Sequence, residues 1–234
     1  MRPFNSLFIV EVISDLLPFL PITILVVLGS VSFGSLLGFI LAKAKVTGGR
    51  IPKLLADAYI GALRCTPPIV LLFIIFYGLP ELLLSTIGVN INSVDKGFFV
   101  LVSFTLLFGA TIAEVMRTAY ESIDKGQQEA AVSIGMSPFQ AFYRIMLPQS
   151  VAVALPNFCN SLVNLLKDGS LAFTVGLIDM MGQGTLIISR NYGSYALETY
   201  IALAIIYWSL TILIEKSFGG LEKHLSKGKK SVAA

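Results

Sequence analysis

Residues Leu16 to Ala42 form an unbroken run of 27 residues without one charged side chain. As a helix with a 1.5 Å rise per residue, such a run extends about 40 Å, more than the hydrocarbon core of a bilayer at about 30 Å. A helix apolar on every side must be covered on every side, by protein or by lipid. The rest of the chain cannot supply protein cover. Charged residues make up 13% of its 234 residues, where a soluble domain carries about 25%. Hydrophobic residues reach 55% and the mean hydropathy is +0.81. Lipid is therefore the expected solvent. The run is too long for a cleaved signal peptide and lacks the basic leader of one.

Four further segments are candidate spans. Ile69 to Leu83 is apolar and follows an amphipathic stretch, Pro52 to Leu63. Phe98 to Tyr120 carries Glu114 and Arg117 near its end, Val151 to Lys167 is short and polar for a span, and Ala196 to Phe218 closes the series. Between the last two, Leu171 to Ser189 is apolar but interrupted by Gly176, Asp179, Gly182 and Gly184. Irregular backbone is tolerated at membrane depth only where protein or a wet cavity covers it, so this stretch reads as a broken or re-entrant segment. The expected fold is an all-α integral membrane bundle of about five transmembrane helices, with residues 1–234 as a single domain. Lys and Arg set the orientation. Lys43, Lys45, Arg50, Lys53, Lys125, Arg144, Lys216, Lys223, Lys227, Lys229 and Lys230 fall on one side, against Arg2, Lys96 and Arg190 on the other. The expected placement is a cell membrane with the N-terminus outside and the C-terminus cytoplasmic.

Several function classes drop out. A net charge of +3 with no basic patch of interleaved aromatics argues against nucleic acid. Cys65 and Cys159 both sit in apolar sequence and read as free, buried thiols rather than a disulfide framework. The single histidine, His224, lies near the charged C-terminus, so no metal site or intramembrane His relay is expected. No Gly-x-x-x-x-Gly-Lys-[Ser/Thr] loop is present; Gly228-Lys229 lacks the upstream glycine and the hydroxyl. ATP chemistry would have to come from a partner.

The loop at residues 123–150 is the most informative stretch. Asp124 to Ser133 contains Gln127, Gln128, Glu129, Ala130 and Ala131, all compatible with helix. Gly135 supplies a left-handed stop, and Ser137-Pro138 restarts a helix with the hydroxyl as cap and proline in the first turn. Phe139, Phe142 and Tyr143 share a face by spacing, and Leu147-Pro148 is expected to end the helix. The product is a helix–turn–helix at the cytoplasmic surface with aromatics to dock.

Glu129-Ala130-Ala131, then Gly135, then Ile145-x-Leu147-Pro148 resembles the EAA loop of ABC importer permeases. Arg64-Cys65-Thr66-Pro67-Pro68, Tyr77-Gly78-Leu79-Pro80 and Lys167-Asp168-Gly169-Ser170-Leu171 resemble the polar amino-acid branch of that family. The likeness runs from Leu16 to Leu225. Many members have Gly where Cys65 stands and Thr where Gly169 stands, so one hydroxyl is missing near the adjoining site. The resemblance implies a type I importer permease fold without a catalytic site of its own, and coupling through Glu129, Ala130, Ala131, Gly135, Leu147 and Pro148. It also implies a second permease subunit, identical or related, a dimer of cytoplasmic ATPase subunits that use ATP and Mg, and an extracellular or periplasmic binding protein. Ser122 to Gln127, Ala131-x-x-Ile134-Gly135-Met136 and Ile206-Tyr207-Trp208 look most like the L-cystine group, with glutamine and arginine as alternative substrates.

Asn157, Asn160, Ser161, Asn164 and Asp168 recur on one helical face. Unpaired amides and a carboxylate are costly in a membrane. They face a partner or a wet pathway, or they bond neighbouring helices as glue; both readings stay open. Together with Ser170 they are the candidate substrate-pathway residues. Glu114, Arg117 and Glu121 are spaced i, i+3 and i+7, open to a substrate role or to a structural ion pair. A gradient-driven carrier is the rival from another class, although no internal repeat with paired broken helices is visible. A membrane anchor without a pathway is a third reading, and the asparagine face speaks against it.

Overall fold

The computed structural model describes residues 4–226 and is helical throughout, with no strand among them. Arg2, Gly228, and the tail lysines Lys227, Lys229 and Lys230 lie outside the described residues. In chain order the helices are α1 (Ser6–Leu16), α2 (Leu20–Thr47), α3 (Arg50–Cys65), α4 (Pro68–Phe73), α5 (Leu79–Ile87), α6 (Lys96–Glu121), α7 (Lys125–Ser133), α8 (Pro138–Ala141), α9 (Leu147–Asp168), α10 (Met180–Arg190) and α11 (Ala196–Ser226).

Four continuous stretches are long and apolar enough to cross a membrane, at residues 6–47, 68–87, 96–121 and 196–225. A fifth, residues 138–175 with 180–190, is bent by 51° at its break. The first is longer than expected from the uncharged run, because α1, with Glu11 and Asp15, is joined to α2 through the short turn Leu17–Phe19.

Side-chain meetings give the helix directions. A Cβ at Gly29 would touch Leu101, one at Gly34 would touch Phe108, and one at Gly38 would reach the Gly109 carbonyl. Rising numbers on α2 meet rising numbers on α6, so these two run parallel. Asp57 shares Lys45 with Glu114, Ile60 packs on Ala110 and Ala113, and Phe76 beyond α3 meets Phe99, so α3 and the helices after it run against α6. Phe142 meets Tyr120 and Phe158 meets Phe108, which makes α9 antiparallel to α6. Phe158 also stacks near Phe218, and Leu203 lies over Gly184 at the far end of the bundle. The spans alternate in direction. Lys43, Lys45, Arg50, Lys53, Lys125, Arg144, Lys216 and Lys223 therefore gather at one end, and Lys96 and Arg190 at the other.

Two larger cores hold the bundle, beside the small cluster of Ile60, Ala110 and Ala113. One joins Val27, Leu72, Val100, Phe104, Phe108, Ile112, Leu165 and Leu166 through its middle. The other packs Val12 and Leu16 of α1 against Met180 and Ile187 of α10 and Ala202, Leu203 and Ile206 of α11. This second core covers the interrupted stretch. Its break is capped by Asp179, 2% exposed, which accepts from the Gly182 amide at 2.9 Å and the Thr23 hydroxyl at 3.5 Å.

The helix expected to stop at Leu147-Pro148 does not stop. It runs from Pro138 through α8, a π-helical turn at Phe142–Met146, and all of α9. A proline inside a helix removes one donor and clashes with the preceding turn. Widening that turn to i→i+5 bonding makes room for the ring, and the Leu147 amide reaches the Phe142 carbonyl. Leu79-Pro80 follows a second π turn, Ile74–Gly78, in the same way.

Candidate functional site

The helix–turn–helix is built from local signals. Asp124 caps α7 by accepting from the Gly126 amide at 2.7 Å. Gly135 adopts φ +87°, the left-handed region that a residue without a Cβ enters freely. The Met136 amide then folds back onto the Ala131 carbonyl at 3.1 Å, and Gly135 onto Val132 at 2.9 Å. Ser137 and Gln140 form a reciprocal capping box. The turn is thus closed by the hairpin's own amides, carbonyls and capping side chains.

Its outer surface is open and carries an apolar patch. Ile134 is 75% and Phe139 70% exposed, with the Tyr143 ring tilted against Phe139 at 4.8 Å between ring centres. Glu129, Ala130, Gly135 and Pro148 are exposed, Leu147 is half-buried, and Ala131 is buried on α7, which packs on α8 and the π turn. Phe142 leaves the expected aromatic face and turns inward to Tyr120.

On α9, Asn157, Asn160 and Asn164 are exposed together on one side, with Ser161 and Asp168 half-buried among them. Ser170 is half-buried on the 3-10 turn Gly169–Val175 that follows. The Ser161 hydroxyl donates to the Asn157 carbonyl and Ser170 to the Lys167 carbonyl. No hydrogen bond among the described residues ties the three amides or the Asp168 carboxylate to another helix. α4, which follows the break at Thr66-Pro67, packs against that 3-10 turn.

Glu114 and Arg117 lie away from this face, at the end that carries the hairpin. Arg117 bridges Glu114, at 2.8 Å, and Glu121. Glu114 also pairs with Lys45, which reaches Asp57 at 2.7 Å. Hydropathy places Lys45 in a loop and gives no reason to single out Asp57. Lys45 instead belongs to the last turn of α2, and only Gly48-Gly49 separates α2 from α3. Cys159 is buried as expected, but Cys65 is exposed on the last residue of α3.

Residues 34–227 match the family described as binding-protein-dependent transport system inner membrane component. The chain belongs to this family. It is a multi-pass membrane permease of the ABC type. Among relatives, the L-cystine transport system permease protein TcyL of Bacillus subtilis (strain 168) is 41% identical over 227 residues, covering 97% of this chain and 93% of that protein. The probable amino-acid permease protein YxeN of the same organism is 37% identical, covering 94% and 95%. A crystal structure of an amino acid ABC transporter with histidines superimposes with a TM-score of 0.82 at 28% identity, over 95% of this chain and all of that one. An inward-facing MetNI methionine ABC transporter shares the fold, with a TM-score of 0.66 at 18% identity over 94% and 96%.

Proposed function

We propose that this chain is the membrane-spanning subunit of an ATP-driven importer for a polar amino acid, with L-cystine as its substrate. The observation that carries the reading is the pairing of two exposed surfaces on one continuous helix. Residues 138–168 begin in the self-contained hairpin and end at the asparagine face. A push on Ile134, Phe139 and Tyr143 is thereby delivered to the helix that bears Asn157, Asn164 and Asp168. The 41% identity to a protein named for L-cystine favours that substrate, and relatives named for glutamine at 32–35% identity make glutamine the nearest alternative.

In this proposal Glu129, Ala130 and Gly135 seat the hairpin in a cleft of a cytoplasmic ATPase dimer while buried Ala131 holds its two arms together, with Leu147 and Pro148 carrying the motion into α9. The partner hydrolyses ATP with Mg; the permease has no catalytic site. ATP-driven closure of the partner favours one of two bundle arrangements, a population shift set by differential binding. The hairpin end lies in the cytoplasm, where its excess of Lys and Arg belongs, and the N-terminus lies outside, on the side from which a binding protein delivers substrate. Asp168 meets the substrate ammonium, and the amides of Asn157, Asn160 and Asn164, with Ser161 and Ser170, line the path. A second permease copy, or a related chain, repeats the face, which suits a substrate with two amino-acid heads.

The test is accumulation of labelled cystine in proteoliposomes that hold the chain with its ATPase and binding protein. Enclosed Mg-ATP should drive accumulation, and excess glutamine or arginine should leave it unchanged. Preferential uptake of glutamine would move the substrate assignment alone. Absence of ATP-driven uptake of any amino acid would overturn the whole reading.

A further inference from the structure

We infer that Lys45 is a positioning residue for coupling: with Asp57, Glu114, Arg117 and Glu121 it locks α3 to the parallel pair α2–α6, so that hairpin motion reaches the break at Thr66-Pro67. The inference rests on the coupling reading above.

The geometry separates a rigid pair from a third helix. Along α2, Gly34 and Gly38 let the backbone approach α6 so closely that an added Cβ would lie 3.1 Å from the Thr105 carbonyl and 3.0 Å from that of Gly109. Close-packed backbone of this kind holds two helices together without ionic help. The apolar contact between α3 and the pair is smaller, a cluster of Ile60 with Ala110 and Ala113, supplemented by the Tyr59 hydroxyl. The ionic link supplies what α3 lacks. Lys45 bonds Asp57 on α3 and Glu114 on α6 from a position 12% exposed, with Glu114 at 16%. A single ammonium thus joins three helices, and its removal would leave Glu114 with Arg117 alone.

The same network reaches both moving ends. Arg117 continues it to Glu121, the last residue of α6, and only Ser122 to Asp124 intervene before α7 begins. Asp57 continues it into α3, whose far end is Cys65, beside the break that leads into α4, and α4 packs on the 3-10 turn that follows Asp168. A displacement of the hairpin that moved α6 without α3 would have to part Lys45 from Asp57. The carboxylate of Asp57 is 44% exposed, so this is the link that water screens and that motion would release first.

The two roles the network can have, transmission and simple helix glue, separate by experiment. In the complete importer in proteoliposomes, ATP hydrolysed per substrate accumulated is measured together with the amount of assembled complex. Lys45→Met keeps length and removes charge; Asp57→Asn cuts only the branch to α3 and, being half-exposed, leaves folding intact. Both should raise the ATP-to-substrate ratio by about fivefold or more, the scale of a site-to-site coupling energy, with wild-type assembly in Asp57→Asn. Lys45→Arg should restore the ratio. An unchanged ratio in Asp57→Asn and Lys45→Met, or a loss of uptake that only tracks lost assembly, overturns the inference. If the wild-type complex shows no ATP-driven uptake, the coupling reading itself fails and takes this inference with it.

Discussion

The hairpin α7–α8 and the polar face of α9 are both exposed, yet they differ in how their polar groups are satisfied. Asp124, Gly135, Ser137 and Gln140 close the two caps and the turn of the hairpin from within. Asn157, Asn160, Asn164 and Asp168 have no bond to a neighbouring helix among the described residues. A surface complete in itself is a finished part that another protein can grip. A surface of unsatisfied amides at membrane depth is half of something, because its cost is met only by a second subunit, water or cargo. Side-chain changes should therefore act on the hairpin through shape and on α9 through missing partners.

The largest effect is expected on α9. Asp168→Asn keeps size and removes charge, so a substrate ammonium loses its counter-charge, a change of about 2–5 kcal/mol for a buried pair. Uptake should fall roughly 30-fold or more on that scale, while complex yield and basal ATPase stay near wild type. Full uptake would make Asp168 a packing residue, and failed assembly would make it a dimer contact. The hairpin comes next. Gly135 has open space around its Cβ position but φ +87°, so Gly135→Val fails through backbone strain alone, about 1–2 kcal/mol. Uptake per ATP should drop severalfold in that variant, and Gly135→Asn should recover most of it, since asparagine tolerates the left-handed region. Equal loss in both would point to the glycine's lack of a side chain instead. Ser137→Ala should act least, removing a cap worth about 1 kcal/mol. It should speed hydrogen exchange at residues 138–141 and lower uptake only slightly; unaltered exchange would show that Pro138 alone starts the helix.

Features set by near neighbours are legible in the sequence itself. The stop at Gly135, the restart at Ser137-Pro138 and the common face of Asn157, Asn160 and Asn164 depend on residues within two turns of each other. Features set across the bundle are not legible there. Nothing near Lys45 in the chain announces Glu114 or Asp57, and hydropathy alone counts Lys45 as a loop charge. Leu147-Pro148 reads as a stop because proline usually is one, and the π turn that admits it has no side-chain signature. Cys65 reads as buried because the wider stretch around it is largely apolar, yet it is exposed at the end of α3. The start of the first span at Ser6 is masked by Glu11 and Asp15, which α1 carries on its exposed side.

The central claim is that a partner's ATP hydrolysis, delivered through the hairpin, drives transport. Its most direct test is amino-acid uptake into proteoliposomes with proton and sodium gradients collapsed by ionophores. The expected result is undiminished uptake that requires enclosed ATP, the ATPase and the external binding protein. Uptake by the purified chain alone, down an ion gradient and without ATP, would contradict it.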